Sequence, residues 1–151
     1  MRSHLEGYRY HHEIAPTELA FMTDWMLHWH HRDKAFTFSL LLVDFYDTVA
    51  LGNALGAAYA MDLIHRVSVE IAEVLRHTDV FSRPQACSFL MLLPHGSPDL
   101  VLHRIEPILS AAQKDGLEES HLHIGKMTVP DDLQGETSAV ALFDRLLTNK
   151  H

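Results

Sequence analysis

The chain has 151 residues and a formal charge of −8, so it lacks the positive footprint that duplex nucleic acid or an anionic membrane surface requires. Apolar residues make up 47%, in runs such as 38–43 and 89–93 that are far too short to cross a bilayer. A lone Cys87 excludes an intrachain disulfide and any Cys-rich zinc site.

Residues 1–16 lack sustained periodicity and read as a lead-in, followed by one domain over 17–151. No basic-then-apolar leader opens the chain, and the expected location is cytoplasmic. Pro16-Thr17-Glu18 opens a helix to about His31, with Leu19, Met22, Met26 and Trp29 as its apolar stripe. Phe21 and Trp25 add more apolar surface than one helix face needs, which points either to extra core contacts or to a partner or dimer surface. Ala35–Phe45 is β-branched, aromatic and nearly continuously apolar, the pattern of a central strand buried on both faces and ending near Asp44.

Gly52 and Gly56 punctuate a connection with a helical turn of its own. A long helix is predicted over 57–76, with Leu63, Ile64, Val67 and Ile71 on one face. A hairpin follows, with strands near 80–82 and 87–93 around a tight turn at Pro84-Gln85-Ala86. Ser97-Pro98-Asp99 is a strong helix start, and that helix continues to about Gln113 with a kink expected at Pro107. Residues 120–129 read as another strand and 137–149 as a final helix. The order implies an α/β (α+β) sandwich: a mixed central sheet of about five strands, with helices on both faces.

Several residues within this order resemble the GGDEF domain, the nucleotide-cyclase-like fold of bacterial diguanylate cyclases. The resemblance runs without a gap from Leu41 to Pro94 and more loosely from Thr17 to the end. Asp44 ends the first strand, as a metal-binding Asp does in that family. Arg76-His77-Thr78-Asp79 matches an Arg-x-x-Asp tetrad, Arg83 precedes the turn, Gln85-Ala86-Cys87-Ser88-Phe89 occupies the GGDEF place, and Leu93-Pro94 ends the second strand. Ile124-Gly125 resembles a strand near the family's C-terminal end.

The departures fall on function. Two glycines that let backbone approach a triphosphate are Gln85 and Ala86, whose side chains enter that space. Both acidic places of the turn are lost to Cys87 and Ser88, leaving a vestigial Asp44, with Asp47 nearby, where bridging Mg²⁺ ions need several hard oxygen ligands. The guanine-reading positions fall at Gly52 and Asn53, and a Gly-Asp of the next helix is Ala60-Met61. The resemblance thus implies lost diguanylate cyclase activity, with no cofactor and no metal.

Arg76 and Asp79 are the main candidate site, because in the family this tetrad is a product-binding site apart from the catalytic turn. A guanidinium fork suits phosphate and guanine oxygens, and a carboxylate accepts from the guanine edge. Arg104 is the nearest candidate for an assisting arginine, since the matching place holds Pro107. The implied ligand is cyclic di-GMP, and the alternative reading of the pair is an ordinary ion pair at a helix end. Among the 13 His, His28 and His31 could share a helix face with Asp24 as metal ligands or form its solvated side, and His121 and His123 alternate along a strand. The competing functions are a cyclic di-GMP receptor and a ligand-independent dimerisation or protein-interaction module.

Overall fold

Why β1 is apolar throughout is visible in its neighbours. In the computed structural model, which describes residues 12–45, 53, 56–116 and 122–148, this strand lies in the middle of the sheet. The elements are α1 (Pro16–Arg32), β1 (Phe38–Phe45), α2 (Ala57–Val74), β2 (Val80–Ser82), β3 (Ser88–Pro94), α3 (Pro98–Lys114), β4 (Leu122–Val129) and α4 (Ala139–Thr148). The lead-in up to residue 11, the connection at 46–52 and His121 lie outside the described residues.

The sheet has the order β2-β3-β1-β4. Every neighbouring pair is antiparallel, with Leu41 opposite Met91 on one side and Lys126 on the other. This corrects the expectation of a mixed sheet: among the described residues the four strands form antiparallel pairs only, and the expected fifth strand is not one of them. A helix between two strands does make them parallel, as in β1-α2-β2 and β3-α3-β4. However, a third strand is inserted between the members of each such pair, so no parallel neighbours result. One parallel contact exists outside the named strands, where Glu13 bridges Phe81 at the β2 edge. Backbone bonds Ile14 N to Phe81 O (2.9 Å) and Phe81 N to His12 O (2.8 Å) hold it.

Alternation along the strands divides the core. Leu41, Val43 and Phe45 join Phe89, Met91 and Leu93 beneath α2 and α3. Leu40 and Leu42 join Leu90, Leu92 and Met127 beneath α1 and α4. Each face buries a separate apolar cluster, so a one-residue register slip would carry every side chain of a strand into the opposite cluster.

Helix ends follow local chemistry. Ser97 accepts from Leu100 N at the start of α3, and Glu18 accepts from Ala15 N at the start of α1. Helix α3 continues through Pro107, which lies on its exposed side. The connection after β3 closes on Gly96, whose carbonyl accepts from Ser39 Oγ at 2.8 Å.

Candidate functional site

Helix α2 runs out at Val74, and the chain then turns sharply to enter β2. Arg76 and Asp79 make that turn. Asp79 N donates to Arg76 O at 2.9 Å, and Arg76 N donates to Asp79 Oδ2 at 3.0 Å. The guanidinium closes over the same carboxylate, with Nη2 2.7 Å from Oδ1 and Nε 3.1 Å from Oδ2. Nη2 also donates to Pro94 O at 2.8 Å, which ties the turn to the end of β3.

The two partners differ in exposure. The Asp79 side chain is 0% exposed, whereas that of Arg76 is 41% exposed. Hydrogen bonding to Asp79 raises the Arg76 pKa further, against a smaller opposing effect of burial. The carboxylate is thus fully committed to a charge-assisted fork, while one side of the guanidinium remains open to solvent. Arg104 is exposed on α3 and makes no hydrogen bond or ion pair with a described residue.

Residues that sequence reading did not single out complete this corner. A Cβ on Gly96 would lie 2.8 Å from Arg76 Nη2 and 2.7 Å from Leu93 Cβ, so a side chain there collides with the fork. His12, which is buried, donates from Nδ1 to the Asp79 carbonyl at 2.8 Å. The carbonyl acceptor assigns the proton to Nδ1. The adjacent Glu13 accepts from Arg83 Nε at 2.8 Å and from Ser68 Oγ at 3.2 Å. The chain's entry into the domain is therefore fastened both to the Arg76 turn and to the hairpin. A cleft of about 580 Å³ between α2 and this entry is lined by His12, Glu13, His65, Glu73 and His77, but not by Arg76 or Asp79.

The hairpin turn holds the second candidate site. Gln85 and Ala86 are exposed at its tip, and Cys87, Ser88 and Phe89 are buried at its base. The β1–β3 register puts Ser88 opposite Asp44. Ser88 Oγ donates to Asp44 Oδ1 at 2.6 Å, and both side chains are withdrawn from solvent. Burial, then the neighbouring Asp44 charge, pushes the Cys87 thiol up, with Arg83 opposing. Asn53 is exposed, Ala60 is buried and Met61 is exposed; Asp47 and Gly52 lie outside the described residues.

The Asp24, His28 and His31 positions do not converge. Asp24 Oδ1 turns inward to accept from Ala139 N at 2.6 Å, which caps α4. Among the described residues no group of three or more His, Cys, Asp or Glu side chains is placed to hold a metal ion. None of the described helices is long and apolar enough to cross a membrane.

No protein-family profile matches the chain, and no curated protein matches it significantly. Solved structures do match. The GGDEF domain of YfiN (TpbB) from Pseudomonas aeruginosa is 20% identical with a TM-score of 0.68, over 89% of this chain and 86% of that one. The coiled coil and GGDEF domain of DgcB from Caulobacter crescentus, in complex with c-di-GMP, is 17% identical with a TM-score of 0.69, over 97% and 83%. The active GGEEF domain of a Vibrio cholerae diguanylate cyclase is 12% identical with a TM-score of 0.67, over 89% and 86%. The fold is that of GGDEF domains.

Proposed function

We propose that the protein is a catalytically inactive, GGDEF-like regulatory domain of the cytoplasm that binds cyclic di-GMP beside Arg76. The observation that carries the loss of catalysis is the Ser88–Asp44 hydrogen bond. Phosphoryl transfer between nucleotides needs divalent ions held by several hard oxygens. These facing positions offer one carboxylate and one hydroxyl, and the hydroxyl already uses the carboxylate as its acceptor. The described residues do not fit such a metal centre. Gln85 and Ala86 further place side chains where a phosphate chain would approach the turn.

Support for a receptor role comes from the half-open guanidinium of Arg76. A rigidly held Arg fork presents its solvent edge to phosphate or guanine oxygens at little entropic cost. In this reading Asp79 positions Arg76 rather than touching the ligand, and Arg104 supplies a further charge from α3. That several structural neighbours were solved with c-di-GMP makes this ligand the first to test.

Calorimetric titration with cyclic di-GMP is expected to show saturable binding, weakened in Arg104→Ala. Ligand should also raise the thermal midpoint, since binding to the native state stabilises it. No heat and no shift at high micromolar ligand would sink the receptor role. Incubation with GTP and Mg²⁺ should yield no cyclic dinucleotide, and detectable product would overturn the inactive assignment.

A second reading, an interaction module independent of nucleotide, is favoured by a different observation. Phe21, Trp25 and Trp29 stand on the outer side of α1 with 72%, 51% and 41% of their surface exposed.

A further inference from the structure

Helix α1 carries two stripes. Leu19, Thr23, Met26, Leu27 and His30 are buried against the sheet and α4. On the opposite side Glu18, Phe21, Trp25, His28, Trp29 and Arg32 fall within an arc of about 100° at 3.6 residues per turn. The aromatic members are held in place: Trp25 and Trp29 meet edge to face with centroids 4.6 Å apart, and Trp29 stacks on Phe36 at 5.3 Å. Rigid, exposed aromatic side chains flanked by arginine have the composition of an interface centre.

The stripe also has a symmetry. Reversing the helix about Trp25 exchanges Phe21 with Trp29 and Glu18 with Arg32. The acidic end of the helix, at Glu18, and its basic end, His30-His31-Arg32, are thus complementary to a reversed copy of themselves. Glu18 is exposed and bonds only its own helix start, and Arg32 makes no hydrogen bond or ion pair with a described residue. Between Trp25, His28, Trp29 and Arg32 lies a shallow cleft.

We infer that α1 is a self-association face on which two copies of this chain pair antiparallel about Trp25. Phe21 of the partner subunit enters the cleft beside Trp29, and Glu18 of each copy pairs with Arg32 of the partner subunit. An interface related by a twofold axis must be self-complementary, and this stripe satisfies that condition in its residue order and in charge. The inference gives a place and a geometry to the interaction-module reading and requires no nucleotide at Arg76.

Sedimentation equilibrium of the full chain, without nucleotide, is expected to show a reversible monomer–dimer equilibrium. Trp25→Glu places two carboxylates on the symmetry axis and should weaken the dimer by about a hundredfold. Glu18→Arg and Arg32→Glu each oppose like charges at both ends of the interface and should weaken it by about tenfold. Combining the two charge reversals should restore wild-type association to within about threefold, as direct pairing of Glu18 with Arg32 across the interface predicts. All three positions are on the surface, so dilute, monomeric samples should still unfold cooperatively, with the largest drop in thermal midpoint in Glu18→Arg, which also loses the Ala15 cap. A wild-type chain that remains monomeric at high micromolar concentration overturns the inference. So does a dimer indifferent to Trp25→Glu, or one in which the double reversal fails to rescue. Those failures leave the cyclic di-GMP titration untouched.

Discussion

Ser88 donates its hydroxyl proton to Asp44 across the β1–β3 ladder at 2.6 Å, with Asp44 fully buried. The contact satisfies part of a buried carboxylate with a neutral donor rather than a cation. Its cost if removed is therefore the cost of under-solvating a buried charge.

Ser88→Ala is accordingly expected to lower stability by about 1–3 kcal/mol in urea titrations. Ser88→Glu should be worse at neutral pH, because two facing buried carboxylates cannot both ionise readily. The pair then binds a proton more tightly folded than unfolded. Its penalty should shrink as pH falls through the carboxylate range and grow as pH rises. A Ser88→Glu protein as stable as wild type at neutral pH would show that this corner is open to water.

The Arg76–Asp79 turn yields a prediction about stability separate from ligand. Removing Arg76 leaves Asp79 charged and buried, a loss on the order of 3–5 kcal/mol for a fully buried pair. Because the Arg76 side chain is 41% exposed, solvent screens part of this, and about 2 kcal/mol is expected for Arg76→Ala. Arg76→Lys keeps the charge but loses the fork, and should fall between the two. Equal stability of all three proteins by thermal unfolding would mean that the turn is not held by this pair.

Gly96→Ala tests the same corner from the opposite side. The added methyl meets Leu93 Cβ at 2.7 Å and Arg76 Nη2 at 2.8 Å. The guanidinium can swing away but the β3 end cannot, so a loss of about 1–3 kcal/mol is expected. If cyclic di-GMP binds Arg76, its affinity should fall in this variant too. A neutral substitution in chemical denaturation would indicate that the connection relaxes freely.

How much of this was legible in the sequence differs by element. The apolar run of β1 and the Ser97-Pro98-Asp99 start of α3 carried their own signals, and both elements lie where those signals put them. The antiparallel order was not legible, because periodicity reports which residues are buried and not which strand is inserted between two others. Arg76 and Asp79 were recognised by spacing, but the burial of Asp79 and the role of the Pro94 carbonyl depend on contacts 18 residues away. Gly96 gave no signal of its own, and His12 lay in a segment without pattern. The metal alternative at Asp24 failed because the helix cap of α4 competes for the same carboxylate, through a contact 115 residues distant.

Cys87 provides a pH-dependent test of the hairpin base. Cys87 is 5% exposed, and burial, followed by the Asp44 charge, raises its thiol pKa above the ordinary value. Alkylation with iodoacetamide at about pH 8 should be at least about tenfold slower in the native protein than in urea, since both the thiolate fraction and access are reduced. The folded pKa exceeds the unfolded one, so the neutral thiol's contribution to stability is complete below the ordinary thiol range. It is then lost as pH rises through the raised folded value. Cys87→Ala should remove that alkaline dependence while costing some packing at neutral pH. Rapid labelling of the native protein would instead place Cys87 at an open surface, and the Ser88–Asp44 contact beside it would have to be open as well.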